Sequence, residues 1–149
     1  MARSKSKSHI LELELCFDHA NPESVFLHAS NSATSIYNAC LGECLKRYHK
    51  LCHDREYQHL QEDYKSAKKN NQSLQQFYER YRDMFQKYGY SEYSLQESAA
   101  VIRKEHYPNF GAAETQALAT RAFRAVDKIR VGKAERVRFH RMKDGTSYE

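Results

Sequence analysis

The sequence predicts a mainly α-helical fold in which a helical bundle is inserted between two β segments. Long runs of apolar residues at three- and four-residue spacing fill the middle of the chain, as amphipathic helices do. A short segment of alternating apolar and polar residues precedes them, and a second one follows. Hydrophobic residues make up 40% and charged residues 29% of the 149 residues, which suffices for one domain with its own core.

The N-terminal part predicts an arm followed by a strand. Residues 1–8 carry three cations among serines and are expected to form a basic, disordered arm. Residues 9–18 form the first predicted β segment, because apolar and polar side chains alternate from Leu11 to Phe17. The basic N-terminus is not followed by the apolar run of a signal peptide, and the chain has no stretch of about 20 apolar residues. We therefore expect a cytoplasmic protein with reduced cysteines and no membrane contact.

Residues 19–132 are predicted to form the helical domain. The segment Asn21-Pro22-Glu23 has the composition of a helix start, and an apolar stripe follows it as far as Leu51. The patch 30–32, which reads Ser-Asn-Ser, is the weak point of this helix. Asp54 is a candidate cap for a second helix.

Two capping-box patterns predict the next helix starts, at residues 73–76 and 94–97. The helix that starts in the second of them must end before Pro108. A last helix follows, and Gly132 is expected to end it.

The stretch from Arg121 to Lys143 concentrates the positive charge. It holds nine cations and two carboxylates, a net charge of +7, in a chain whose total is +5. The nine candidate nucleic-acid-binding residues are Arg121, Arg124, Lys128, Arg130, Lys133, Arg136, Arg138, Arg141 and Lys143. Such a surface suits phosphate groups, although a solvated charged face is the alternative.

The second predicted β segment lies within residues 133–149. Val137 and Phe139 alternate there with Arg136, Arg138 and His140, which places the two sets on opposite faces of a strand. We expect the two apolar side chains to face the core.

Metal binding and catalysis have little support in the sequence. Cys40 and Cys44 share a helix face, but they lie in the apolar stripe and lack the spacing of a zinc knuckle, so we predict that they pack in the core. No recognisable catalytic motif occurs, and neither an enzymatic activity nor a cofactor is predicted. The tyrosines Tyr88, Tyr90 and Tyr93 predict either a base-stacking platform or a staple between two helices.

Three segments resemble a known family. Residues 35–41 (SIYNACL), 116–126 (QALATRAFRAV) and 136–139 (RVRF) resemble the amino-terminal region of the TnpB family, transposon-encoded, RNA-guided DNA nucleases related to the type V CRISPR effectors. The resemblance implies that residues 9–18 and 133–149 belong to a small, incomplete wedge barrel and that 19–132 is the helical recognition domain. The sequence departs from the family at His140, where a lysine is common.

The resemblance implies a recognition portion of a transposase-like nuclease that is non-catalytic as it stands. The RuvC-like nuclease domain and the zinc ribbon of the family do not occur in these residues. The implied partners are guide RNA and target DNA, contacted through backbone charge, and a separate nuclease-bearing chain is a further candidate. Tyr37 and Asn38 are expected to hold the first helix against the strands. The competing interpretation is a helical protein-interaction module whose basic stretch binds an acidic partner.

Overall fold

The structure, a computed structural model, describes residues 22–141 as five α-helices. The helices are α1 (Pro22–Cys52), α2 (Arg55–Lys69), α3 (Gln75–Lys87), α4 (Glu92–His106) and α5 (Ala112–Arg130). The predicted mainly α-helical fold is thereby confirmed. None of these helices is long and apolar enough to span a bilayer.

The β part of the predicted fold stays a prediction. The first segment, residues 9–18, lies outside the described residues, as do residues 142–149. Residues 133–141 follow α5 as a segment that forms no strand within the described range. A strand needs a neighbour for its backbone groups, and the predicted neighbour is that first segment.

The helices form a three-helix bundle with a helical hairpin attached to it. α1, α4 and α5 pack against one another, whereas α2 packs on α3 and joins the bundle through α1. One cluster of buried side chains runs through both parts and includes Leu41 of α1, Leu60 of α2, Leu95 of α4 and Val126 of α5. α1 has 31 residues, so it spans roughly 45 Å and serves as the support for the others.

The predicted weak point does not interrupt α1. The Ser32 hydroxyl donates a hydrogen bond of 2.9 Å to the carbonyl of His28 on the preceding turn, so its polar group is satisfied within the helix. The apolar stripe is buried only from Ala33 onward. Val25 and Phe26, in the first turns, are 62% and 38% exposed.

Asp54 caps α2, as predicted. Its carboxylate accepts hydrogen bonds from the backbone N–H groups of Glu56, at 2.7 Å, and Tyr57, at 3.3 Å. These donors have no partner inside the helix, and the cap satisfies both.

Both capping-box predictions are wrong about the capping residue. α3 begins after Leu74, whose side chain makes no capping hydrogen bond. α4 begins three residues earlier than predicted, because Ser91 has extended backbone angles and accepts a hydrogen bond from the N–H of Ser94. Gly89, at a φ of 60°, turns the chain early enough for Ser91 to reach the cap position.

Arg47 fixes the α3–α4 turn and α4 onto α1. Its guanidinium donates to the carbonyl of Gly89 at 2.9 Å and to the hydroxyls of Ser94 and Ser98 at 3.1 and 2.7 Å. It also forms an ion pair with Glu43 at 2.9 Å. A guanidinium can serve several acceptors at once because its donors lie in a fixed plane.

Candidate nucleic-acid interface

Helix α5 places three of the predicted cations on one face. Arg121, Arg124 and Lys128 fall within about 60° of each other around the helix axis, at about 100° per residue. All three are exposed, and none forms an ion pair with a carboxylate of residues 22–141. Together with Tyr37 of α1 they line a groove of about 510 Å³, which we call the basic groove.

Tyr37 forms the wall of the basic groove that α1 contributes. The residue is 7% exposed, and the guanidinium carbon of Arg121 lies 5.8 Å from its ring centroid, in the range of a cation–π contact. Burial raises the pKa of the Tyr37 hydroxyl, and the positive charge of Arg121 offsets part of that effect. The ring therefore stays neutral at physiological pH and orients the Arg121 side chain.

The segment after α5 is held on α1 by Asn38. The Asn38 side-chain amide donates to the carbonyl of His140 at 2.7 Å, and its oxygen accepts from the His140 N–H at 2.9 Å. This is the donor and acceptor pair that a neighbouring strand would offer. The His140 ring also packs edge-on against Tyr37, with centroids 4.7 Å apart. Tyr37 and Asn38 thus hold the segment after α5 against α1, whereas their predicted role in holding α1 against strands stays a prediction.

The hydrogen bonds of Asn38 hold His140 beside Tyr37, which also contacts Arg121 of the basic groove. The end of the segment and the groove therefore adjoin at Tyr37. Arg136, Arg138 and Arg141 of the segment are all exposed. We call these three residues the segment arginines.

Phe139 does not occupy the core position that the alternating pattern predicts. Val137 is half-buried and packs against the core, but Phe139 is 53% exposed. Its ring lies 3.9 Å from the place that a Cβ atom would occupy on Gly42. The segment lies flat on the surface of α1, so only one of its two apolar side chains reaches the core.

The structure separates Arg130 from the other predicted cations. Arg130 projects from α5 about 180° away from Arg121 and is half-buried. Its guanidinium pairs with Asp127 at 2.6 Å and lies 5.3 Å from the ring centroid of Phe85. These contacts give Arg130 a role in packing. Lys133 is exposed just beyond α5, and Lys143 lies outside the described residues.

The tyrosines around Gly89 do not form one platform. Tyr90 is 2% exposed and packs against Phe85 and Phe123, which corresponds to the staple of the two predicted alternatives. The Tyr88 hydroxyl hydrogen-bonds to Asp54, whereas Tyr93 is 72% exposed.

Sequence reasoning missed a larger cleft, of about 1010 Å³, between α2, α3 and the C-terminal end of α5. Aromatic side chains of α2 and α3 dominate its lining. The signal in the sequence is the recurrence of tyrosine at positions 57, 64, 78 and 81, which by itself indicates only a helical stripe. We call the cleft between α2, α3 and the end of α5 the aromatic cleft.

The two cysteines of the α1 stripe pack in the core, as predicted. Cys40 and Cys44 are each 1% exposed, and burial raises the pKa of their thiols to about 11 and about 12. A metal requires the thiolate, which burial disfavours at both positions. Residues 22–141 contain no group of three or more side chains arranged to hold a metal ion.

Comparison of the chain with protein-family models, with curated proteins and with solved structures finds no match. Its function is therefore inferred from its own residues and their geometry.

Proposed function

We propose that this chain binds RNA through the phosphate backbone, at a surface made of the basic groove and the segment arginines. The observation that carries the proposal is the groove itself: three cations of one helix face line it together with Tyr37, and none has a carboxylate partner among residues 22–141. Cations that are not neutralised inside the protein are available to phosphate oxygens, and each phosphate contact releases counterions from the nucleic acid.

The two parts of the surface favour a single extended polyanion. The groove belongs to α5, while the segment arginines lie on a backbone that Asn38 and Tyr37 fix against α1. A partner that neutralises both parts must follow the surface for some distance, as a nucleic-acid strand does. Backbone charge supplies affinity without sequence information, so base pairing to a guide would have to supply the specificity.

In its specific form, the proposal is that the chain is the non-catalytic recognition portion of an RNA-guided nuclease of the TnpB type. The resemblance supports this form, because its short segments include Tyr37 and Asn38, which contact the segment after α5, and the first two segment arginines within that segment. Guide RNA and the heteroduplex with target DNA are then the partners.

Replacing the segment arginines with glutamine is expected to weaken RNA binding and leave the fold intact, since all three side chains are exposed. If each neutralises one phosphate, the slope of log K against log salt shrinks by about 2–3 units. The measurement is a salt titration of binding to a structured RNA, with circular dichroism to check the fold.

A matched control removes the same charge elsewhere. The triple substitution Lys46→Gln, Lys50→Gln and Arg55→Gln changes exposed residues of α1 and α2 that line neither the groove nor the segment. It is expected to keep most of the wild-type salt slope. An equal loss in both triple variants would show that the basic surface has no special role.

The competing function, binding of an acidic protein partner, is tested by competition. Structured RNA is expected to displace a bound fluorescent RNA at a lower charge concentration than heparin or polyglutamate does. Equal displacement at matched charge would mean that the surface recognises charge alone and would overturn the assignment to RNA.

A further inference from the structure

The aromatic cleft lies on the side of α5 opposite the basic groove. The residues that α5 contributes to it, Phe123 and Arg130, project about 160–180° away from Arg121. Its volume of about 1010 Å³ lies at the upper end of the range of roughly 300–1,000 Å³ typical of ligand pockets. The cleft is thus large enough for a ligand and physically separate from the proposed RNA surface.

The walls of the cleft are a continuous set of aromatic rings. Ring centroids are 6.4 Å apart for Tyr64 and Tyr78, 5.7 Å for Tyr64 and Tyr81, and 6.1 Å for Tyr81 and Phe85. Tyr78 is 55% exposed although it lines the concavity. A ring whose task is only to close a core is normally buried, whereas an exposed ring at the mouth of a cleft offers a face for stacking.

The rim of the cleft is positively charged. Lys65, Lys68 and Arg82 line it, are exposed, and form no ion pair with any carboxylate of the described chain. Glu92 is the one carboxylate among the lining residues, and it accepts a hydrogen bond of 2.8 Å from Thr120. The rim therefore favours an anionic ligand. An apolar peptide would leave the rim charge without a counterpart.

We propose that the aromatic cleft binds a nucleotide. The base stacks against the exposed Tyr78, with Tyr64, whose ring is tilted by 60° to it, at its edge, and the phosphate lies at the rim cations Lys65, Lys68 and Arg82. The same chemistry is presented by a free nucleotide and by an unpaired residue of a nucleic-acid strand. The proposal does not depend on RNA binding at the basic groove.

Isothermal titration calorimetry with four probes tests this proposal. The probes are AMP, adenosine, pyrophosphate and a hexamer of adenylate. AMP is expected to bind more tightly than adenosine, which lacks the phosphate, and more tightly than pyrophosphate, which lacks the base. A hexamer that binds more tightly than AMP and loses affinity in Tyr78→Ala identifies a strand as the source of the ligand, and tighter binding of AMP identifies a free nucleotide.

Two substitutions, each with a control, distinguish recognition of the base from recognition of the phosphate. Tyr78→Ala is expected to weaken AMP and adenosine binding about five- to a hundredfold, the range of one base–aromatic stack, and to leave pyrophosphate unchanged. Tyr78→Phe keeps the ring and is expected to restore the affinity. Arg82→Gln is expected to weaken AMP and pyrophosphate about two- to fivefold, while Arg80→Gln, an exposed control on the same helix outside the cleft, changes neither.

Three results would overturn the nucleotide site. They are the absence of saturable AMP binding, wild-type AMP affinity in Tyr78→Ala, and loss of AMP binding on neutralising Arg121, Arg124 and Lys128. The last result would place AMP in the basic groove. Conversely, the salt slope of RNA binding, which depends on phosphate contacts, is expected to stay unchanged in Tyr78→Ala, so failure of one site is distinguishable from failure of the other.

Discussion

Asp54 combines two roles at the start of α2. Besides capping the helix, its carboxylate accepts a hydrogen bond from the Tyr88 hydroxyl and one of 3.0 Å from the ammonium of Lys87. These hydrogen bonds, that of Tyr88 first, hold the pKa of Asp54 well below its ordinary value of 3.8. One carboxylate thus ties the α1–α2 turn to the C-terminal end of α3, so that the hairpin is fixed at its open end.

The hydrogen bonds of Asp54 to Tyr88 and Lys87 predict that the stability of the fold depends on pH. Because the folded state lowers the pKa of Asp54, its ionised form stabilises the fold fully above 3.8, and that contribution is lost as the pH falls toward the lower, folded value. The Asp54→Asn variant is expected to be less stable at neutral pH and to lose less further stability between about pH 5 and pH 2. Urea unfolding midpoints across that range measure the difference.

The exposed Asp63 on α2 provides the control, because it makes no ion pair within residues 22–141. Asp63→Asn is expected to keep the wild-type pH dependence. The same pH dependence of the unfolding midpoint in wild type and Asp54→Asn would show that ionised Asp54 does not stabilise the fold.

At the scale of elements, the sequence predicts helices better than it predicts their ends. The apolar stripe gives α1 its length because Ile36, Leu41 and Leu51, which carry it, are all completely buried. Helix starts are harder, since Ser91 and Ser94 are both good caps and only the turn at Gly89 decides between them. That choice depends on tertiary packing and is not encoded by the local sequence pattern.

Two glycines with positive φ make a matched pair at helix C-termini. Gly89, at 60°, follows α3, and a Cβ atom there would lie 3.3 Å from the Ser94 hydroxyl and 3.6 Å from the guanidinium of Arg47. Gly132, at 71°, follows α5, and a Cβ atom there would meet no atom of residues 22–141 within 4 Å. An alanine would therefore have a strained left-handed backbone at either site, but its Cβ atom would be crowded only at position 89.

The pair predicts unequal costs of substitution by alanine. Gly132→Ala is expected to destabilise by about 1 kcal/mol, the cost of a left-handed conformation for a residue with a Cβ atom. Gly89→Ala is expected to cost about 2–3 kcal/mol, because it also displaces the hydrogen bonds of Arg47. Chemical denaturation of both variants gives the comparison, and equal costs would show that the crowding relaxes freely.

At the scale of the whole molecule, the candidate site depends on contacts that are remote in sequence. The positive charge of the stretch from Arg121 to Lys143 can be counted from the sequence. The three- and four-residue spacing of Arg121, Arg124 and Lys128 likewise places them on one helix face. The pairing of Asn38 with His140 spans 102 residues and leaves no local pattern. For the same reason Arg130 looks equivalent to its neighbours in the sequence but packs on the other side of α5.

The pairing of Asn38 with His140 predicts that position, and not charge alone, determines RNA binding. Asn38→Ala removes both hydrogen bonds to His140 without changing any charge, so the segment arginines lose their fixed place beside the basic groove. RNA affinity is expected to fall by about five- to 150-fold, since about 0.5–1.5 kcal/mol is lost for each of the two hydrogen bonds that no longer order the segment. Trypsin, which cleaves after arginine, is expected to cut at Arg136 and Arg138 faster than in the wild type.

Asn31→Ala, on the same helix but without a hydrogen bond to the segment, serves as the control and is expected to match the wild type in both assays. RNA affinity and trypsin cleavage together show what the pairing of Asn38 with His140 does. Faster cleavage with unchanged RNA affinity in Asn38→Ala would mean that the segment is held by Asn38 but that its position does not matter for binding. In that case the basic groove alone would carry the interaction, and neutralising Arg121, Arg124 and Lys128 would abolish it.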